Sequence, residues 1–181
     1  PSPSPPPGYN CPDDQPCQKT LLFRQTVIPG SNSWLRSNGE WSVNPNDPSA
    51  DQYSILDQLA GMQRFADGKW VFELAWPDDD QQLQVWRQSS NPVMGSGEGY
   101  EAINAPYTRQ YWGGLERGGS HSLIDGSVNH RHWWYSVGSR TKFRNGIPGP
   151  GEVVVIKTEL YVYAALVPPS PPAPPPLPAL P

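Results

Sequence analysis

The chain has 181 residues, with 13 Lys and Arg against 17 Asp and Glu, a formal net charge of −4 and 24 prolines. That balance argues against a nucleic-acid partner, which is held by clustered Lys and Arg. No apolar run approaches the ~18 residues that a membrane-spanning helix requires, and the longest candidate, 153–167, is interrupted by Lys157 and Glu159.

The first segment, 1–7, reads P-S-P-S-P-P-P. Proline fixes φ and removes the N–H donor, so this stretch is expected to lie in polyproline II. The chain opens at Pro1 with no apolar signal region and reads as a mature product or a fragment. Cys11 and Cys17 stand in C-P-D-D-Q-P-C, a short loop suited to a local disulfide in an oxidising compartment. A strand is expected at 21–27. Asn38-Gly39, between Trp34-Leu35 and Trp41, suits a small hairpin. A helix is then expected, with Asp47 as cap, Pro48 at its first position and Ile55, Leu56, Leu59 and Met62 at helical spacing, ending by Gly68.

The clearest strand is 69–76, where Trp70, Phe72, Leu74 and Trp76 alternate with Val71, Glu73 and Ala75. Weaker strands are expected at 83–88, 100–104 and 132–138, with turns at Asp67-Gly68, Asp125-Gly126 and Asn145-Gly146. The run 153–163 is apolar on much of both sides, as in a central strand. The last segment, 168–181, is again proline-rich and could reach roughly 43 Å at ~3.1 Å per residue. The chain thus divides into a proline-rich tail with the cysteine loop (1–17), a β-rich globular domain (18–167) and a second proline-rich tail (168–181). The expected fold is mostly β: an antiparallel, jelly-roll-like β-sandwich with one short α-helix, flanked by polyproline II tails.

Eight tryptophans supply large apolar surfaces, most simply for the core. Trp133 and Trp134 cannot both face inward if 132–138 is a regular strand. The outward member either packs between layers or contacts a glycan or protein, and Trp134 is carried forward as the contact candidate. The stretch Y-T-R-Q-Y-W-G-G-L-E-R-G-G reads as a contact loop in which Arg109, Tyr111, Trp112 and Arg117 offer stacking faces and forked donors; the alternative is a packed surface loop. His121, His130 and His132 lie close in sequence, and H-x-H on a strand would put two rings on one face, but no other ligand types stand nearby and no metal is expected. Glycoside hydrolysis needs two carboxyl groups about 5 to 9 Å apart. Glu73, Glu98, Glu101, Glu116 and Asp125 are available, and no spacing selects a pair. Asp78 to Asp80 read as a solvated turn. No catalytic residue and no cofactor is expected.

The tails resemble the Ser-Pro-Pro modules of hydroxyproline-rich glycoproteins, the extensin and pherophorin type of plant and algal walls and surface filaments. The resemblance implies prolyl hydroxylation and O-linked sugar on Pro5, Pro6, Pro7, Pro168, Pro169, Pro171, Pro172, Pro174, Pro175 and Pro176. The run from L-L-F-R-Q-T through W-V-F-E-L-A-W-P, W-R-Q-S-S-N-P-V, L-I-D-G-S-V and H-W-W-Y-S-V-G-S to E-L-Y-V-Y is similar to an extracellular module associated with lectin-like proteins of algae and invertebrates. The function these imply is an extracellular structural glycoprotein of a cell wall, sheath or surface filament that self-associates through its tails. A carbohydrate-binding, lectin-like adhesion module is the alternative, and a glycoside-active enzyme the second alternative.

Overall fold

The computed structural model describes residues 11, 15–28, 40–79, 82–140 and 143–166. The proline tails, their ten candidate glycosylation sites and the Asn38-Gly39 hairpin lie outside the described residues. In chain order the strands are β1 (Cys17–Thr26), β2 (Ser42–Val43), β3 (Gln52–Ile55), β4 (Trp70–Trp76), β5 (Gln82–Gln88), β6 (Glu101–Asn104), β7 (Trp112–Arg117), β8 (Ser122–Ser127), β9 (Val137–Ser139), β10 (Ile147–Pro148), β11 (Val154–Val155) and β12 (Lys157–Ala165). Seven of them form one sheet in the order β2-β3-β1-β12-β4-β5-β6, three form a second in the order β7-β8-β9, and β10 and β11 make a small ribbon. Every pairing is antiparallel.

Alternation in β4 divides its side chains between two buried clusters, with Val71 joining Phe65, Val85 and Tyr163 on one face and the aromatic set packing on the other. Trp70, Phe72, Leu74 and Trp76 join Phe23, Trp86, Leu160 and Val162 in one cluster, which also takes Leu115, Leu123, Ile124 and Val137 from the small sheet. The two sheets therefore share a core, in a sandwich-like and unequal arrangement. Burial of such aromatic and aliphatic side chains stabilises by about 1.5–3 kcal/mol each relative to exposure.

Polar groups inside this core are matched in an unusual way. Gln25, Gln84 and Gln88 lie on the buried face and are 0% exposed. Each uses its carboxamide as a surrogate peptide group. Gln88 Oε1 accepts from the Leu115 N–H (2.9 Å) and its Nε2 donates to Leu115 O (2.7 Å). Gln25 clamps Ser139 through the same pair of bonds (3.0 and 3.1 Å), and Gln84 clamps Tyr107 (2.9 and 2.8 Å). Backbone groups of the second layer that would otherwise be buried without partners are thereby satisfied.

Several sequence expectations are corrected. The helix from Pro48 is instead a 3-10 helix over Leu56–Gly61. Asp47 still organises a turn, accepting from the Ser49 N–H (3.1 Å), but Tyr53 and Ser54 pair with β1, and tertiary pairing overrides the helical spacing. The long run 153–163 breaks at Ile156, which is 52% exposed. There the Asp78 carboxylate accepts from the backbone N–H groups of Ile156 (2.7 Å) and Lys157 (3.0 Å). Asp125-Gly126 is no turn: it lies within β8, and a Cβ on Gly126 would come within 2.6 Å of the Trp112 ring.

The disulfide forms between Cys11 and Cys17, with Cα atoms 5.7 Å apart. Cys17 opens β1 opposite Ala165 near the end of β12, and the Leu166 N–H donates to Pro16 O (2.9 Å). The two points where the tails join the domain are therefore side by side. Among the described residues no helix is long and apolar enough to cross a membrane.

Replacing Gln88 with Leu strands the Leu115 N–H and C=O in the core, at about 1–3 kcal/mol for each unsatisfied group. Urea denaturation of Gln88→Leu is expected to show a loss of about 2–4 kcal/mol, while Leu at exposed Gln58 stays within about 0.5 kcal/mol of the parent.

Candidate functional site

The small sheet turns one face to the core and the other outward. Successive strand residues face opposite ways, so while Leu115 is fully buried, Glu116 emerges on the outer side, directly opposite Asp125 on β8. Directly opposed residues have Cβ atoms about 4.5–5.5 Å apart, which places two carboxyl groups next to each other.

Around this pair the chain folds two loops. The first, 118–121, joins β7 to β8 and brings in His121; the Gly118 N–H donates to Leu123 O (2.8 Å) to start it. The second, 128–136, takes in most of the strand expected at 132–138 and is irregular up to β9, which holds the last two of those residues. Asn129 and Tyr135 have positive φ of 57° and 58°, which turns the chain out of β8 and back again. The Asn129 N–H then donates to Glu116 Oε1 (2.7 Å). At the far end the buried Tyr135 hydroxyl donates to Arg109 O (2.7 Å), and the Gly126 N–H donates to Trp134 O (3.0 Å).

Between the loops lies a cavity of about 290 Å³ walled by Glu116, Arg117, His121, Asp125, His130 and Trp133. A second cavity of about 260 Å³, lined by Trp133, Trp134, Phe143 and Pro148, adjoins it, with Arg131 and His132 bordering both. Because 132–136 is not a strand, the rule that adjacent residues face opposite sides does not apply. Trp133 and Trp134 both pack edge-on against Phe143, at 5.6 and 5.4 Å between ring centroids, and both remain half-buried.

The carboxyl pair is electrostatically distinctive. Asp125 is 4% exposed, and burial, with a smaller contribution from the neighbouring Glu116 charge, pushes it up to about 7 despite hydrogen bonds from the Ser127 N–H (3.1 Å) and Ser122 Oγ (3.3 Å). Burial also raises Glu116, against the lowering effect of the Asn129 N–H. A pair in which one member holds its proton near neutrality divides labour as the acid and the ionised group of glycoside hydrolysis do. Of the other candidate carboxylates, Glu73 binds Lys19 (2.8 Å) and the Tyr163 hydroxyl (2.7 Å), and Glu101 binds Lys69 (2.9 Å).

Of the contact residues expected from sequence, Arg117 and Trp134 reach the cavities. Trp112 does not. It opens β7, and its indole is enclosed by Trp86, Tyr100 and Tyr135 at 5.0, 6.1 and 4.8 Å, with Nε1 donating to the Tyr100 hydroxyl (2.9 Å). Tyr111 is 58% exposed and stacks on His130 at 3.7 Å, supporting the loop from outside. Arg109 contributes its carbonyl to Tyr135, and its side chain is exposed. The residues that sequence reasoning left unpaired are Glu116 and Asp125, and Phe143 was missed; placing β7 and β8 in one hairpin would have joined the first two. His130 Nδ1 accepts from the His132 N–H (3.2 Å), and among the described residues no three His, Cys, Asp or Glu side chains are placed to hold a metal.

Comparison with known proteins returns no match: no protein-family model fits the chain, no curated protein is significantly similar to it, and no solved structure matches its fold.

Protonated Asp125 is favoured in the fold, so the folded state binds a proton that the unfolded state releases above its ordinary value of 3.8. Stability contributed at this site therefore falls as pH rises from about 4 to about 7. Denaturation of the parent and Asp125→Asn across pH 4 to 8 is expected to show a parent-minus-variant difference that declines over that window and levels off above it.

Proposed function

We propose that the domain is a carbohydrate-binding module of an extracellular structural glycoprotein, and that the paired cavities are its sugar site. The observation that carries this reading is Trp133, whose half-buried indole walls both a polar cavity with carboxyl, imidazole and guanidinium groups and an apolar cavity floored by Trp134 and Phe143. A saccharide presents an apolar ring face and a rim of hydroxyls, and sites for small ligands combine aromatic surface with a few placed polar groups in the same way. The disulfide and the resemblance of the tails to hydroxyproline-rich modules support an extracellular setting.

A glycan array of matrix saccharides is the test. At least one sugar is expected to bind, with Trp133→Ala and Trp134→Ala each weakening it about tenfold or more. Trp112→Ala is expected to lower stability instead, because its indole is packed. Silence across the array would remove the reading. Release of reducing ends from the bound sugar would assign hydrolysis to Glu116 and Asp125 instead.

The tails join the domain side by side, which suits a body that hangs from a matrix by paired attachments. Self-association through them completes the proposal, since a polyproline segment is pre-ordered and docks at low entropic cost. Deleting 168–181 is expected to reduce the sedimentation coefficient of any assembly to that of the single chain; unchanged assembly would discard the role of that tail.

A further inference from the structure

We propose, building on the carbohydrate reading, that the saccharide is anionic, a uronate or a sulfated sugar, and that its acid group is held by the Arg131 guanidinium beside Trp133.

Arg131 borders both cavities and is exposed. Among the described residues it makes no hydrogen bond and no ion pair. Its neighbours are already engaged: the Arg117 guanidinium lies over Trp41 (5.9 Å), that of Arg144 lies over Phe143 (5.2 Å), and Arg140 Nη1 donates to Gly119 O (3.2 Å). Arg131 is thus a loop cation at the border of both cavities whose forked donors meet no partner among the described residues, and such a fork receives a carboxylate or sulfate.

The carboxyl groups in the same cavity are partly engaged within the domain. A carboxylate oxygen that already accepts one hydrogen bond keeps a second lone pair, so hydrogen bonds within the domain lower its capacity for sugar hydroxyls without abolishing it. Here both Asp125 oxygens accept from within the domain, Oδ1 from the Ser127 N–H and Oδ2 from Ser122 Oγ, and Glu116 Oε1 is taken by the Asn129 N–H. Burial raises Asp125 to about 7, so it carries only part of a negative charge near neutral pH. The negative charge that would repel an anion is thereby reduced at Asp125, and it stands against Arg117 and Arg131.

Protonation deepens this asymmetry. The groups facing the polar cavity are Glu116 and Arg117 from β7, Asp125 from β8, His121 from the first loop, and His130, Arg131 and His132 from the second. Tyr111 stacks on His130 from outside. As pH falls from 7.5 to 5.5 Asp125, which burial raises to about 7, loses its negative charge, while a uronate or sulfate remains ionised. Affinity for the anion is therefore expected to rise as pH falls.

Titration calorimetry on the full chain separates the possibilities, using a neutral galacto-oligosaccharide, an oligogalacturonate and a sulfated galactan oligosaccharide of matched length at pH 5.5 and 7.5. The expected result is binding of one or both anionic sugars about tenfold tighter than the neutral one, strengthening severalfold at pH 5.5. Arg131→Gln is expected to remove that preference by weakening the anionic sugars about tenfold more than the neutral one, and Arg131→Lys to retain part of it. The better of the two anionic sugars identifies the acid group. Equal affinity for neutral and anionic sugars, or an anionic preference that survives Arg131→Gln, would overturn this inference and leave the carbohydrate reading standing. Absence of binding by all three, with a folded protein, would overturn both.

Discussion

Three glutamine side chains in the core are the constraint on which the rest of the molecule depends. A three-stranded sheet packed over a larger one buries its own edges, and unpaired peptide groups there would cost more than the apolar contacts near them return. Gln25 and Gln88 supply the missing partners one residue at a time, at Ser139 and Leu115, and Gln84 does the same for Tyr107 in the connection between β6 and β7. Because each clamp uses a donor and an acceptor together, it fixes the register of its target as a ladder would, and not merely its distance.

The consequence for function runs through Leu115. Clamped from below by Gln88 and packed in the core, it leaves Glu116 one position further on with a defined direction, opposite Asp125. Gly114, with φ +90°, is where β7 bends to let this happen, since a Cβ there would stand 2.6 Å from Gln88 Oε1. On the far side of the cavity Tyr135 ties the loop carrying His130 to Trp134 back to Arg109. The floor and the rim of the cleft are therefore held by hydrogen bonds to different parts of the fold, which is the support a preorganised site needs.

How much of this could be read in the sequence follows from which signals are local. Alternation over β4 and β5 and the bias of the residues in β1, β6 and β12 are local, and they identified most of the large sheet. The mostly β, antiparallel character followed from them. The small sheet was hidden because its glycines looked like turn residues. Gly114 and Gly126 are there for packing, against Gln88 and Trp112, and no short window reveals that. The helix drawn from Pro48 failed for the complementary reason: its apolar spacing was real, but Tyr53 and Ser54 were claimed by β1, a partner distant in sequence. At the site, the three histidines, Arg117 and Trp134 were visible as residue types. The pairing of Glu116 with Asp125 and the enclosure of Trp112 depend on a register that only the fold sets.

On the proposed carbohydrate reading, sugar meets the outer side of the clamped small sheet and leaves the large sheet's aromatic face untouched. Indole resonances in a ¹⁵N-labelled sample, followed as a binding saccharide is added, test this most directly. The Trp133 and Trp134 Nε1–H signals should move progressively, while those of Trp70, Trp76 and Trp86 stay in place. Saturable binding that leaves Trp133 and Trp134 unmoved would contradict it.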